Sequence, residues 1–177
     1  MTREAIAYFL REIEAGDLAE INDWRNDASL ISLLGAPFRY VGMGVDRAWF
    51  DHYMANRSTA VRLAVCEPAG KRIVGAVYLT GIDWVARSGE FAIWIAAAAH
   101  RGKGAGTAAS RGMLRHAFLD LNLHRVHLTV LADNEVARSL YRRLGFVEEG
   151  RLRGAAFKNG RFVDLVQMAM LADEYHE

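Results

Sequence analysis

The spacing of apolar positions divides this chain into short strands and helices. Alternating or continuous short apolar runs are typical of strands; they cover residues 8–12, 62–66, 73–79, 89–95, 126–131, 146–153 and 162–170. Apolar residues at helical spacing predict four helices. Two of them start near Asp17 and Asp46, and the other two cover residues 107–121 and 134–144. The predicted order is β-α-α-β-β-β-α-β-α-β-β, which is typical of an α+β or mixed α/β domain with one sheet covered by helices.

Capping and turn residues mark several boundaries of these elements. Asp17, with Glu20 three residues later, predicts a capping box at the first helix, and Asp46 predicts the cap of the second. Gly145 predicts the end of the last helix, because glycine readily adopts the left-handed conformation found there. The Asn-Gly pair at residues 159–160 predicts a tight hairpin between the last two strands.

Composition and charge are those of a globular chain. The 177 residues are 52% hydrophobic, which predicts one domain over residues 1–177. Lysine and arginine number 22 and acidic residues 21, so the net charge of +1 gives no reason to expect nucleic-acid binding. No apolar run reaches the roughly 20 residues of a bilayer span, and residues 1–10 lack a secretory leader's apolar core. We therefore expect a cytoplasmic protein, and we interpret its single cysteine, Cys66, as a buried strand residue.

A glycine-rich turn joins a predicted strand to a predicted helix. It reads Arg101-Gly102-Lys103-Gly104-Ala105-Gly106-Thr107. Glycines let the backbone approach a ligand closely, and the free N–H groups and dipole of a helix start attract an anion. The two basic side chains add positive charge. The turn therefore predicts a phosphate site, and the alternative is an ordinary solvated loop.

Two common phosphate motifs fit this turn poorly. A Walker A loop requires Ser or Thr after its lysine, whereas Gly104 follows Lys103. Residues 104–109 fit the dinucleotide pattern G-x-G-x-x-A, but that pattern belongs to the first strand of a doubly wound sheet. Here the turn lies past the middle of the chain, after antiparallel strands. A dinucleotide enzyme is therefore a weak alternative.

The turn resembles the pyrophosphate motif of the GNAT N-acetyltransferase superfamily. Arg101-x-x-Gly104-x-Gly106 is similar to the motif Gln/Arg-x-x-Gly-x-Gly/Ala. The superfamily has a second sequence element, and the run from Asp133-Asn134-Glu135 through Tyr141 to Leu144-Gly145-Phe146 is similar to it. One helix and one strand separate the two elements, and the resemblance covers residues 89–170. Two groups share most with the chain, the ribosomal-protein N-terminal acetyltransferases and the bacterial spermidine acetyltransferases.

This resemblance implies a fold and a cofactor site. The sheet would have six to seven largely antiparallel strands and about four flanking helices, with parallel fourth and fifth strands that splay apart. The co-substrate acetyl-CoA would place its pantetheine arm in the splay, against Asn134 and the backbone of Trp94, Ile95 and Ala96. Its pyrophosphate would bind N–H groups of the turn, from Arg101, Gly102, Lys103, Gly104, Ala105, Gly106 and Thr107. Residues 96–100 depart from the superfamily, reading Ala-Ala-Ala-Ala-His where relatives have a proline or an acidic residue.

Acetyl transfer to a primary amine requires that the amine first lose a proton. At pH 7 only about one alkylamine molecule in 2,500 is neutral, a cost of ~4.6 kcal/mol. The resemblance implies that Tyr141 donates a proton to the leaving thiolate, and a neutral phenol suits that role. Glu90, in a Glu-Phe-x-Ile context found in relatives, is the candidate base, acting through water. The alternatives are core packing for Tyr141, a helix cap for Asn134 and a solvated strand-end carboxylate for Glu90.

These motifs do not specify the amine acceptor. A polyamine site needs several carboxylates to pair with separated ammonium groups, and residues 30–45 contain none. A protein N-terminus or a small-molecule amine therefore fits better, with polyamine acetylation and a non-catalytic acyl-CoA-binding module as alternatives. We expect no metal site, and the resemblance allows two copies to pair as a homodimer. His100, His116, His124 and His127 are interpreted as surface or packing residues.

Overall fold

Seven strands form one sheet in the computed structural model, which describes residues 8–68, 70 and 72–176. The sheet order is β1-β2-β3-β4-β5-β7-β6, and every neighbouring pair is antiparallel except β4 and β5. This confirms the predicted fold class. The strands are β1 (Phe9–Glu12), β2 (Val61–Cys66), β3 (Ile73–Asp83), β4 (Ser88–Ile95), β5 (Arg125–Leu131), β6 (Val147–Lys158) and β7 (Arg161–Leu171).

Helices cover both faces of this sheet. They are α1 (Leu18–Arg25), α2 (Ala28–Ser32), α3 (Met43–Ala55), α4 (Ala105–Arg115) and α5 (Glu135–Leu144). Helix α4, which continues as a π-helical turn, buries Met113 and Leu114 against the larger core on one face. Helices α1 and α3 pack Trp24 and Trp49 on the smaller core around Cys66 on the other face. None of the helices in the described residues is long and apolar enough to cross a membrane.

The parallel ladder between β4 and β5 is short. It pairs Ser88 with Arg125, Gly89 with Val126 and Glu90 with His127, and ends there. Strand β4 remains paired with β3 as far as Ile95, and β5 remains paired with β7 along its whole length. The two strands therefore diverge after Glu90, which confirms the predicted splay and leaves backbone groups facing an open gap.

The predicted capping box at the first helix is wrong. Asp17 precedes α1, but its carboxylate makes no capping hydrogen bond to that helix. It accepts two hydrogen bonds of 2.7 Å from Arg11 and one of 2.8 Å from the Glu14 backbone N–H. A charged guanidinium is a stronger partner for a carboxylate than a backbone amide. The side chain therefore joins β1 to α1, and Glu20 completes no box with it.

The predicted cap at Asp46 is also wrong. Helix α3 begins after Gly42, and Asp46 lies inside it with no exposed surface. Its carboxylate accepts a 2.6 Å hydrogen bond from Asn22 Nδ2 and pairs with Arg25. From sequence, an acidic residue near a helix start is interpreted as a cap. Here Asp46 instead binds α3 to α1 through Asn22 and Arg25. A buried carboxylate requires such partners, because leaving one unpaired is costly.

Other local expectations are confirmed, although several strand and helix boundaries differ from the predicted ones. Gly145 has a φ of 102° after α5, and Asn159 and Gly160 have φ of 50° and 79° in the β6–β7 hairpin. Cys66 is fully buried in β2, and burial raises the pKa of its thiol, as fits a packing residue. The sequence pattern missed the short helix α2. Residues 1–7, to which most of the expectation about a leader applies, lie outside the described residues.

Replacing Asp46 should reveal how much its buried contacts contribute. We expect Asp46→Ala to lower the free energy of unfolding by about 3 kcal/mol, because Arg25 and Asn22 would lose a fully buried partner. Asp51→Ala removes an exposed carboxylate from the same helix and should change that free energy by less than about 0.5 kcal/mol. Urea denaturation measures both variants, and equal losses would contradict the assigned role.

Candidate active site

The glycine-rich turn has the geometry of an anion site. Strand β4 ends at Ile95, and the turn leads into α4 at Ala105. Gly102 and Gly104 have φ of 71° and 90°, a left-handed conformation that glycine adopts without strain. Gly104 occupies the N-cap position, where no side chain bonds the first N–H groups of α4. Those groups and the positive end of the helix dipole are therefore left for a ligand.

A cavity of about 610 Å³ runs from this turn along the end of β4, and we call it the turn groove. Most of the predicted cofactor residues line it, namely Trp94, Ile95, Arg101, Gly102, Gly104, Gly106, Thr107, Asn134 and Tyr141. Ala96, Lys103 and Ala105 are not among its lining residues. Lys103 is exposed and Ala105 is buried. Arg143, on α5, lines the groove and adds a cation that the sequence analysis missed.

A second cavity of about 390 Å³ lies in the splay between β4 and β5, and we call it the strand chamber. Its wall includes Glu90 and Ala92 of β4, Thr129 and Leu131 of β5, and Tyr78 of β3. The chamber and the turn groove share part of their lining, namely Leu33, Leu34, Ile93, Trp94, Asn134, Ala137 and Tyr141. A ligand that fills the groove can therefore present a reactive end to the chamber.

Arg101 occupies part of the predicted cofactor site. Its guanidinium donates hydrogen bonds to the carbonyl oxygens of Ile95 at 2.8 Å and Ala96 at 2.9 Å. The Ala96 N–H is bonded to the Val74 carbonyl oxygen at 2.9 Å. Backbone carbonyls at the splay lack a strand partner, and unpaired carbonyls need donors. Two of the predicted pantetheine contacts are therefore already held by a side chain.

Tyr141 lies where the two cavities meet. Only 7% of its surface is exposed, and its ring packs edge-on against Phe91 and Phe146 at centroid distances of 6.1 and 5.8 Å. Burial raises the pKa of its hydroxyl to about 12, because desolvation disfavours the phenolate. The hydroxyl is therefore protonated at neutral pH. Its packing agrees with the core-packing alternative, and its protonated state is compatible with a proton donor.

Glu90 lies at the point where the β4–β5 ladder ends. Its side chain is exposed and lines the strand chamber. It is the one carboxylate among the described residues of the chamber wall. Histidine is absent from the described lining of both cavities, while His100 and His116 bond Tyr8 and Asp120 instead. Glu90 is therefore the ionisable base best placed to reach a ligand in the chamber.

Residues 33–36, which we call the roof segment, line the chamber beside β4. Asn134 caps α5 by accepting a 3.1 Å bond from the Ala137 N–H, which confirms the helix-cap alternative. The same side chain donates to the Leu33 carbonyl oxygen at 3.1 Å. From β6, Lys158 Nζ donates to the carbonyl oxygens of Ile31 and Ala36. The roof segment is therefore held from two distant parts of the chain.

Sequence reasoning missed Tyr78 and Lys158 at this site. Tyr78 lies in the apolar pattern of β3, and its ring faces the Arg62 guanidinium at 4.8 Å and Trp94 at 5.8 Å. Its hydroxyl is buried with no hydrogen-bond partner among the described residues, and burial raises its pKa. A tyrosine in a strand pattern and a lysine beside a hairpin carry no local sequence signal that they lie at a functional site.

Comparison with known proteins agrees with this geometry. Residues 8–147 match a family described as "Acetyltransferase (GNAT) domain". The chain is 36% identical over 167 residues to a spermidine N(1)-acetyltransferase of Vibrio cholerae, covering 94% of each chain. It is 38% identical over 103 residues to a putative ribosomal N-acetyltransferase of Bacillus subtilis, YdaF, covering 58% of this chain and 56% of that one. A crystal structure of the Vibrio cholerae spermidine N-acetyltransferase with CoA and spermine has a TM-score of 0.89 at 32% identity, covering 96% and 98% of the two chains.

The two hydrogen bonds of Asn134 can be separated by substitution. Asn134→Ala removes both the helix cap and the bond to Leu33, and should lower the free energy of unfolding by about 1 kcal/mol. Asn134→Ser keeps a capping oxygen but cannot reach Leu33, so it should lose less than about 0.5 kcal/mol. Chemical denaturation compares the two variants. Equal losses would mean that the bond to Leu33, rather than the cap, carries the stabilisation.

Proposed function

This chain belongs to the GNAT acetyltransferase family and is an acetyl-CoA-dependent N-acetyltransferase, and we propose that its acceptor is a primary amine with one positive charge. A protein N-terminus and a small-molecule amine both meet that description. The observation that carries the proposal is the composition of the strand chamber. Its described wall is largely apolar and holds a single carboxylate, Glu90, while Tyr141 also lines it. One carboxylate can pair with one ammonium group before that group loses its proton.

We propose that acetyl-CoA lies along the turn groove. The N–H groups of residues 101–107 would bind its pyrophosphate, and Arg143 would add positive charge beside it. The pantetheine arm would follow β4 past Trp94, Ile95 and Ala96, with Asn134 on the opposite side. The arm could share those carbonyl oxygens with the Arg101 guanidinium, since each has two lone pairs, or release it from Ile95 and Ala96. A guanidinium released in this way could bind a phosphate oxygen instead.

The proposed chemistry is direct attack by the amine on the acetyl carbonyl carbon. Glu90 would accept the proton of the ammonium group through a water molecule. The neutral nitrogen then forms a bond to carbon, and the carbon–sulfur bond breaks. Tyr141 would give its hydroxyl proton to the departing thiolate. The nitrogen, now bonded to the acetyl carbon, would lose its second proton to solvent, and Tyr141 would regain a proton from solvent. Its raised pKa, about 12, keeps that proton available at neutral pH.

Polyamine acetylation is the second candidate function. It is favoured by the similarity to spermidine acetyltransferases along almost the whole chain. The chamber argues against it, because separated ammonium groups need separated carboxylates and Glu90 is the one acid in the described wall. The single domain over residues 1–177, the cytoplasmic location and the homodimer also remain proposals. A non-catalytic acyl-CoA-binding module would lack the turnover that the next experiment measures.

Release of free CoA thiol from acetyl-CoA would test the acceptor class. At about pH 8, where α-amines are partly neutral, we expect amine-dependent release with peptides beginning with Ser, Ala or Met, or with an amino sugar that carries a single amino group. Spermidine should give a lower kcat/KM than the best of these acceptors. A higher kcat/KM for spermidine would select the polyamine function. Tight acetyl-CoA binding with no release from any acceptor would favour the binding module.

Substitutions of Tyr141 and Glu90 would test their proposed roles. Tyr141→Phe keeps the ring packing and should lower kcat about 100-fold, because the thiolate loses its proton donor. Glu90→Gln should lower kcat/KM most below about pH 8, where the amine is mainly protonated.

With the pKa of Tyr141 near 12, wild-type kcat should show no loss from tyrosine ionisation up to about pH 10. Isothermal titration with CoA is the control, and unchanged turnover of a folded variant would remove that residue from the mechanism.

A further inference from the structure

Lys158 has an unusual environment for a lysine. It lies at the end of β6, only 8% exposed. Its ammonium donates to the Ile31 carbonyl oxygen at 3.0 Å and to the Ala36 carbonyl oxygen. Within the part of the chain that the structure describes, no carboxylate pairs with it. Burial without a counter-charge lowers the pKa of this ammonium, so carbonyl dipoles alone stabilise the charge.

One of the two carbonyls lies just before the roof segment and the other lies at its end. Ile31 is buried in α2, and Ala36 is the last residue of the roof segment and lines the strand chamber. Between them, the Leu33 carbonyl oxygen is held by Asn134. Residues 33–36 belong to no helix or strand, although the Leu33 and Leu34 N–H groups bond to the Leu30 and Ile31 carbonyl oxygens at the end of α2. Beyond those two backbone bonds, the segment is held by side chains from the start of α5 and the end of β6.

The ammonium also affects the charge around the chamber. It donates to the carbonyl oxygen of Ala36, which is part of the wall, and Glu90 is the one acid among the described wall residues. Like charges repel more strongly near a protein interior than in bulk water. The first ammonium group of an acceptor can pair with Glu90. A second one would have no carboxylate and would meet the field of Lys158.

We infer that Lys158 is a positioning residue for the acceptor, whose buried ammonium holds the roof segment over the chamber and disfavours acceptors with more than one ammonium group. The inference rests on the proposed function, since it assumes that the strand chamber binds the amine. Lys158 touches neither reacting group. Its effect acts through the backbone of residues 31–36 and through its charge.

Amide hydrogen exchange tests the first part without any turnover. Lys158→Met removes the ammonium but keeps the length of the side chain, and should speed exchange in residues 33–36 about tenfold. Lys158→Arg keeps a cation that can donate to carbonyls and should change it less than about threefold. Arg153→Met removes an exposed cation from the same strand and serves as the control. Unchanged exchange in a folded Lys158→Met protein would overturn the inference, and Lys158→Gln replaces that variant if it does not fold.

Affinity for two probe amines tests the second part. Spermidine and n-butylamine are titrated into CoA-saturated protein, and the ratio of their dissociation constants is the readout. In Lys158→Met that ratio should shift toward spermidine by about fivefold. In Lys158→Arg and Arg153→Met it should change less than about twofold, and an unshifted ratio in Lys158→Met would overturn the charge effect. Because neither measurement needs catalysis, a failed thiol-release assay would contradict the proposed function without deciding this inference.

Discussion

The gap between β4 and β5 is the constraint on which the rest of the site depends. Both strands keep their outer partners, so neither can close the gap beyond Glu90. The backbone groups that face the gap need other hydrogen-bond partners. In this structure Arg101 supplies donors to two of the carbonyls. A ligand with amide groups could supply such partners as well, which is why a broken parallel pair makes a binding site.

Charge and polarity change along this gap in a way that suits acetyl transfer. The turn groove has a helix N-terminus and the cations Arg101 and Arg143, which attract phosphate groups. The strand chamber is largely apolar and holds one exposed acid, Glu90. Between the two cavities lies Tyr141, a buried hydroxyl that stays protonated over the physiological pH range. One end therefore favours anions, while the other offers the carboxylate that the proposed reaction assigns to the amine.

The chamber is completed by segments that lie far apart in the chain. The roof segment is bonded to Asn134, at the start of α5, and to Lys158, at the end of β6. Asn134 belongs to the proposed cofactor site as well, so the same side chain contacts the roof and the groove. The proposed acceptor and cofactor sites are therefore connected by the bond from Asn134 to the Leu33 carbonyl oxygen.

The sequence by itself determined the features whose physical cause is local. The glycine-rich turn, the cap at Asn134, the left-handed Gly145 and the Asn-Gly hairpin depend on backbone preferences within a few residues. Only the tertiary structure decided the partners of Asp17, Asp46, Arg101 and Lys158. The two aspartates are the kind of residue that caps helices, yet each binds an arginine from another element. A charged side chain takes the strongest partner that folding brings near it, and a partner 21 or 122 residues away leaves no trace in the local pattern.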